Sequence, residues 1–275
     1  LNFMTKNASI GVFDSGIGGL TVVKRIKELL PNENVIYFGD TARVPYGSKS
    51  NETVIEYALQ DAEFLARKNV KLIIAACNTV SSIAIPALRR KFDIPIIGMI
   101  EPGAKFAIGN TKNEIIGVIG TYATVNNHAY AESLKSLSEN VRVFEKACPL
   151  FVPLAEEGLV NHPAAKLIAE DYLLPIKSEG VDSLILGCTH YPLLSGIIRE
   201  VIGGGVKLVD SGVAASKEVE NYLNGRGIRN NSNNIGSIEF YVSDIRTKFK
   251  EVAGRFLGKE IEKIHRVEVD ELFRM

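Results

Sequence analysis

The chain is short of cysteine, of net charge and of long apolar runs, and each shortage excludes something. Three cysteines in 275 residues, odd in number and far apart, do not make a disulfide framework. A reduced, cytoplasmic protein is the expectation. Lys plus Arg and Asp plus Glu stand at 32 each, so no global field favours nucleic acid or an anionic membrane, and neither is expected as a partner. No apolar stretch reaches the roughly 18 to 20 residues of a membrane helix. Residues 1–9 lack the basic start and long apolar segment of a secretory signal. Low-complexity sequence is confined to 225–236, a Gly/Asn/Ser-rich stretch read as a mobile surface loop. What remains is ordinary globular composition, 46% apolar and 23% charged, long enough for two domains or one large one.

Two of the cysteines sit in near-duplicate settings. Residues 70–79 read Val-Lys-Leu-Ile-Ile-Ala-Ala-Cys-Asn-Thr, and 181–190 read Val-Asp-Ser-Leu-Ile-Leu-Gly-Cys-Thr-His. In each, a short apolar run ends on cysteine and then polar residues. A buried parallel strand delivers a side chain to the carboxyl edge of its sheet in this way, where α/β proteins keep their ligands. Two thiols opposed across one ligand can take a proton from one face of a carbon and return one to the other.

Apolar runs alternate with helical periodicity almost end to end. Strands are expected at 9–13, 34–38, 72–76 and 95–100, with helices at 19–30, 51–69 (opened by an Asn cap) and 81–92. The pattern restarts at 114–121 and continues through a helix at 126–137, a strand at 141–144, a helix at 162–178, a strand at 181–186 and a helix at 193–201. The repeat is about 110 residues of strand-helix units, not a solenoid period. It predicts two similar doubly wound, mostly parallel α/β lobes related by a pseudo-twofold, with the site between them. The first lobe takes 9–99 plus 211–275 and the second 100–210, with crossings near 99–103 and 208–212. In the tail, helices at 213–224 and 244–257 and a strand at 238–242 are expected to return to the first lobe.

Several constellations can carry chemistry. The glycine-rich turn at 13–21, Phe-Asp-Ser-Gly-Ile-Gly-Gly-Leu-Thr, suits close backbone approach to an anion at a helix start. It lacks the Gly-Lys-Ser/Thr of a phosphate loop and the third glycine of a dinucleotide fingerprint. Asp40 at the next strand end nevertheless keeps a nicotinamide reading open, beside a purely structural turn and carboxylate or amine binding. Asp14 can bind an ammonium group, move a proton or simply cap the next helix. A thiol at a helix start can have its pKa lowered toward neutrality, although each cysteine alone fits a small buried hydrophobe. Cys148, outside the repeat, reads as structural. His190 can assist Cys188 or polarise a carboxylate. Cys77, Cys188 and His190 lack a fourth ligand for zinc at ligand spacing, so no metal is expected. The turn at 42–47 suits either a ligand-facing loop or an ordinary surface turn. Glu156 and Glu157 read as solvated, with one able to reach the cleft.

Together these segments resemble the glutamate racemases of the cofactor-independent aspartate/glutamate racemase family. The matching runs are 13–21, Gly-Asp-Thr-Ala-Arg-Val-Pro-Tyr-Gly at 39–47, Ala-Cys-Asn-Thr at 76–79, Gly-Thr at 120–121 and Leu-Gly-Cys-Thr-His-Tyr-Pro at 186–192. The resemblance implies an amino acid held between two lobes by Asp14, Ser15, Pro45, Tyr46, Gly47, Asn78, Thr79, Thr121, Thr189 and His190. It implies that Cys77 serves the D-glutamate proton and Cys188 the L-glutamate proton, assisted by Asp14 and His190, with Glu157 behind them. It further implies no cofactor, a homodimer, and D-glutamate made for peptidoglycan. Val80 departs from the alanine that many relatives carry there, at a helix start behind the site. Aspartate racemisation, and a non-catalytic two-lobed amino-acid binder, are the alternatives.

Overall fold

Unbroken apolar runs become the central strands of two parallel sheets. The computed structural model describes residues 5–245, 247 and 249–270. In chain order the first half contains β1 (Ile10–Asp14), α1 (Leu20–Leu29), β2 (Val35–Gly39), α2 (Asn51–Arg67), β3 (Leu72–Ala75), α3 (Asn78–Ile83), α4 (Ile85–Lys91), β4 (Ile96–Ile97) and α5 (Ile100–Ile108). Then come β5 (Ile115–Gly120), α6 (Tyr122–Asn126), α7 (Ala129–Leu137), β6 (Arg142–Ala147), α8 (Phe151–Glu156), α9 (Pro163–Ser178), β7 (Ser183–Gly187), α10 (Ser195–Ile202) and β8 (Lys207–Asp210). The tail supplies α11 (Ser211–Gly225), β9 (Ile238–Val242), α12 (Phe249–Leu257) and β10 (His265–Arg266).

The first sheet has the order β10-β9-β2-β1-β3-β4 and the second β6-β5-β7-β8. Every strand pairing in both is parallel. Without the tail strands the two orders are the same, so the sequence repeat is a topological repeat. In each sheet the chain turns to opposite sides after the first and third strands, and the crevice opens where their connections diverge. Asp14 ends β1 and Cys77 follows β3; Thr121 and Cys188 follow β5 and β7. Strands β1, β2, β3 and β7 are buried along their whole length, as covered parallel strands must be. The largest apolar cluster runs across both sheets, joining Val22 and Ile26 of α1 to Leu173 of α9, Ile198 of α10, Val219 of α11 and Phe256 of α12. Among the described residues no helix is long and apolar enough to cross a membrane.

Several boundaries differ from the sequence reading. The helix expected at 81–92 is two, because Pro86 cannot supply the backbone N–H that would carry one helix through Ala84. The strand at 95–100 shrinks to Ile96–Ile97, and α5 occupies the expected crossing. Pro102 and Gly103 read as a linker, yet proline is tolerated in a helix's first turn. His128, in the left-handed region at φ 51, splits the helix expected at 126–137. Helix α8 went unread among Pro149 and Pro153, and the cap of α2 is Ser50, whose hydroxyl accepts from Thr53 N, not Asn51. Of the tail helix expected at 244–257 the structure gives Phe249–Leu257, with residues 246 and 248 outside the described set.

A buried ion pair fixes the far end of the first sheet. Lys71 Nζ lies 2.6 Å from Glu33 Oε2 with both side chains out of solvent, and it also donates to the carbonyls of Lys6 and Ile228. Lys71→Met strands the Glu33 charge and is expected to cost about 3–5 kcal/mol in urea unfolding. Adding Glu33→Gln should recover most of that loss.

Candidate active site

The carboxyl ends of both sheets open onto one cavity of about 390 Å³, within the range of small-molecule sites. Eleven of the residues singled out from the sequence line it: Ser15, Pro45, Tyr46, Gly47, Cys77, Asn78, Thr79, Thr121, Cys188, Thr189 and His190. Asp14 lies beneath the lining, fully buried, and Glu157 lies away from it.

On the first side, β1 ends on Asp14, whose Oδ2 accepts from Gly16 N at 3.0 Å. Its Oδ1 is buried without a hydrogen-bond partner. Burial raises this carboxyl above its ordinary value against the pull of His190 and the N–H groups of Gly16 and Gly19. The glycines after it serve close approach. A Cβ on Gly19 would stand 2.6 Å from that of Asp14, and one on Gly18 only 2.2 Å from Thr189 Oγ1. Where a dinucleotide fingerprint would have its third glycine, Thr21 donates to the carbonyls of Gly18 and Thr189. Asp40 is fully buried and engaged by Arg43, Tyr46 and Ser243, so it cannot reach a ribose. The nicotinamide reading fails on both counts.

Cys77 caps α3, with its carbonyl accepting from Ser81 N at 2.9 Å. The expected lowering of its pKa does not occur. Burial, then the charge of Asp14, push the thiol up to about 12 against hydrogen bonds from Ser15 and the Val80 N–H. Six residues of helix do not outweigh desolvation. Beyond it, Asn78 accepts from Tyr130 at 2.6 Å and donates to Ser211 at 3.3 Å. Thr79 Oγ1 lies 2.9 Å from Thr121 Oγ1, a contact from one sheet's edge to the other's.

On the second side, Cys188 Sγ stands 3.8 Å from His190 Nδ1, and His190 Nε2 lies 3.0 Å from Glu156 Oε1. Burial alone would lower the imidazole's pKa, but Cys188 and Glu156 prevail and raise it to about 10. Phe256 of α12 packs edge-on against the ring, centroids 5.0 Å apart. Tyr191 locks the turn by donating to the carbonyls of Gly120 and Cys148. Cys148 is buried outside the lining.

The glutamate facing His190 is Glu156, not Glu157. Helix α8 buries Phe151, Leu154 and Ala155, so its last residue reaches the cavity, while Glu157 caps it facing solvent. Arg255 of α12 donates to the Glu156 carbonyl at 2.6 Å. Sequence reasoning also missed Tyr122, Val152 and Pro153 in the lining. A helix of six residues punctuated by proline leaves too little periodicity to find it.

Comparison with known proteins agrees with this geometry. The family described as Asp/Glu/Hydantoin racemase matches residues 10–219. The glutamate racemase of Geobacter metallireducens is 47% identical over 262 residues, covering 95% of this chain and 97% of its own. The crystal structure of glutamate racemase from Francisella tularensis in complex with D-glutamate superposes with a TM-score of 0.90 at 41% identity, covering 97% of this chain and 99% of that one. Glutamate racemase from Thermus thermophilus in complex with β-chloro-D-alanine gives 0.87 at 44% identity, covering 97% and 99%. Repeated lobes, paired thiols and this extent of likeness place the chain in the Asp/Glu/Hydantoin racemase family.

Proposed function

We propose that the chain interconverts L- and D-glutamate by proton transfer between two thiols. The observation that carries this reading is one cavity lined by both Cys77 and Cys188, each delivered by the equivalent strand of a repeated sheet. The lobes, residues 9–99 with 211–275 and residues 100–210, each bring one thiol. The surroundings of the two thiols differ in charge. Cys77 faces the Asp14 carboxyl, and Cys188 faces the His190 imidazole.

This asymmetry sets the resting state. With Cys77 pushed up to about 12, its proton stays on at neutral pH. His190, raised to about 10 against burial by Cys188 and Glu156, is an imidazolium there and stands 3.8 Å from the Cys188 sulfur. L-glutamate then meets a base at Cys188 and an acid at Cys77. After one L-to-D turnover the arrangement is reversed. Forming the Cys77 thiolate in the empty site would cost on the order of 7 kcal/mol at pH 7. A bound ammonium group offsets part of this by placing a positive charge beside Asp14. The α-proton is a very weak acid, so the barrier must fall through hydrogen bonds to the carboxylate as it gains enolate character. The N–H groups of Ser15, Asn78, Thr79 and Thr189 are the candidates, with the Thr79 and Thr121 hydroxyls beside them.

D-glutamate for peptidoglycan, a homodimer and a cytoplasmic setting belong to the same proposal. Assays with each pure amino acid test the substrate. One methylene is worth about 10- to 200-fold, and kcat/KM for L-glutamate should exceed that for L-aspartate by this order. Preference for aspartate, or tight binding without turnover of either, would overturn the reading.

The resting state makes two further expectations. Iodoacetamide at pH 8 should label Cys188 before Cys77, read by peptide mass spectrometry. The His190 imidazolium stabilises the fold fully below its ordinary pKa of 6.5, because the folded value is higher. That contribution is lost as pH rises through about 10. Thermal stability and L-to-D turnover should both decline over that window, and His190→Asn should flatten the stability profile.

A further inference from the structure

Behind the loop that carries Pro45, Tyr46 and Gly47 into the cavity lies a buried polar cluster outside the reacting site. Asp40, which follows β2, accepts from Arg43 Nε at 2.6 Å, from Ser243 Oγ at 2.8 Å and from the Tyr46 phenol. Asp61, in the middle of α2, accepts from Arg43 Nη2 at 3.0 Å through Oδ1, and its Oδ2 lies 3.1 Å from Tyr46 Oη. Both carboxyls are wholly out of solvent. The Arg43 guanidinium, over the Tyr57 ring, also reaches Gln60.

Two counts on this cluster give the same answer. Among the described residues, two ionised carboxylates against one guanidinium would leave an uncompensated negative charge in a fully buried site, which is costly. Tyr46 has one phenolic hydrogen, and Asp40 takes it. The contact between Tyr46 Oη and Asp61 Oδ2 then needs a second hydrogen, since two lone pairs would otherwise face each other. Asp40 is held by three donors, Arg43, Ser243 and Tyr46, whereas the described contact of Asp61 Oδ2 is with Tyr46 alone. The proton therefore belongs to Asp61. Among the described residues the groups facing Asp61 are Asp40, Arg43 and Tyr46, with Asp14 farther off, and burial followed by the Asp40 charge raises its pKa well above the ordinary range despite Arg43 and Tyr46.

We infer that Asp61 is a neutral carboxylic acid that donates to Tyr46 and so positions the 45–47 wall of the cavity. Asp61 is a positioning residue: it touches no substrate and acts through Tyr46. Asparagine matches the neutral acid, with its carbonyl accepting from Arg43 and its amide donating to Tyr46. Alanine removes both bonds. The inference concerns the wall of the glutamate site proposed above, and its first test does not depend on that activity.

Infrared difference spectra of the protein at pH 7, wild type minus Asp61→Asn, should show the carbonyl band of a protonated carboxylic acid that shifts in D₂O. A carboxylate band in its place would overturn the inference. In kinetics, a wall that contacts ground and transition states alike affects KM more than kcat. Asp61→Ala should raise KM for glutamate by about tenfold or more, whereas Asp61→Asn should stay within about threefold of wild type. Equal impairment of both variants would mean that Asp61 acts as an anion, and an unchanged KM in Asp61→Ala would remove the positioning role. If the alanine variant does not fold, Tyr46→Phe replaces it: a KM rise of similar size supports the same wall, and wild-type KM contradicts it.

Discussion

Cys77→Ser is expected to lower L-to-D racemisation by about 10²–10⁴, the usual worth of a positioned general acid or base. The loss should be selective. In D₂O the variant retains Cys188 with His190 at 3.8 Å, so L-glutamate should still exchange its α-proton for deuterium while rotation stays constant. Cys188→Ser should show the mirror behaviour, exchange into D-glutamate without racemisation. A serine hydroxyl is too weak an acid to be ionised where Cys77 sits, because burial and Asp14 already push the more acidic thiol up to about 12. A binding protein with incidental cysteines would tolerate either change.

Gly18→Ala should have the next largest effect, through geometry alone. The added Cβ would lie 2.2 Å from Thr189 Oγ1 and 2.6 Å from two atoms of the His190 ring. Something must retreat by an ångström or so, and what retreats is the Thr189–His190 turn beside Cys188. Misplacement on that scale costs about 10²-fold in rate, and the overpacking costs about 1–3 kcal/mol of stability. Gly18 has no positive φ, so backbone strain does not complicate the result. Gly196→Ala in α10 is the control, since its Cβ would meet nothing within 4 Å. That variant should keep wild-type kcat/KM.

The sequence carried the architecture because buried parallel strands announce themselves as apolar runs. The runs ending on Cys77 and Cys188, and the restart at Glu114, were enough to predict two equivalent sheets. What it hid were features decided by tertiary contacts. Pro102 and Pro153 look like breaks but sit within the first turns of α5 and α8, and Pro149 stands just before the cap of α8. Glu156 and Glu157 differ by one position, and only the end of α8 decides which meets His190. The acidity of Cys77 could not be read from its place at a helix start, because the Asp14 carboxyl and burial prevail there. Asp61 has no motif within the helix expected at 51–69, and only the fold makes Asp40, Arg43 and Tyr46 converge on it from a separate segment. Phe256 and Arg255, which brace His190 and Glu156 from the tail, leave no motif.

Hydrogen isotope followed over the first few per cent of conversion in D₂O probes the two-sided transfer most directly. If the thiols flank one α-carbon and act in turn, D-glutamate formed from L-glutamate carries solvent deuterium, while the unreacted L-glutamate keeps its original hydrogen. Deuterium accumulating in the residual L-glutamate as fast as in the product, or protium retained in the D-glutamate formed, would point to a single group working one face and would contradict the assignment of Cys77 and Cys188.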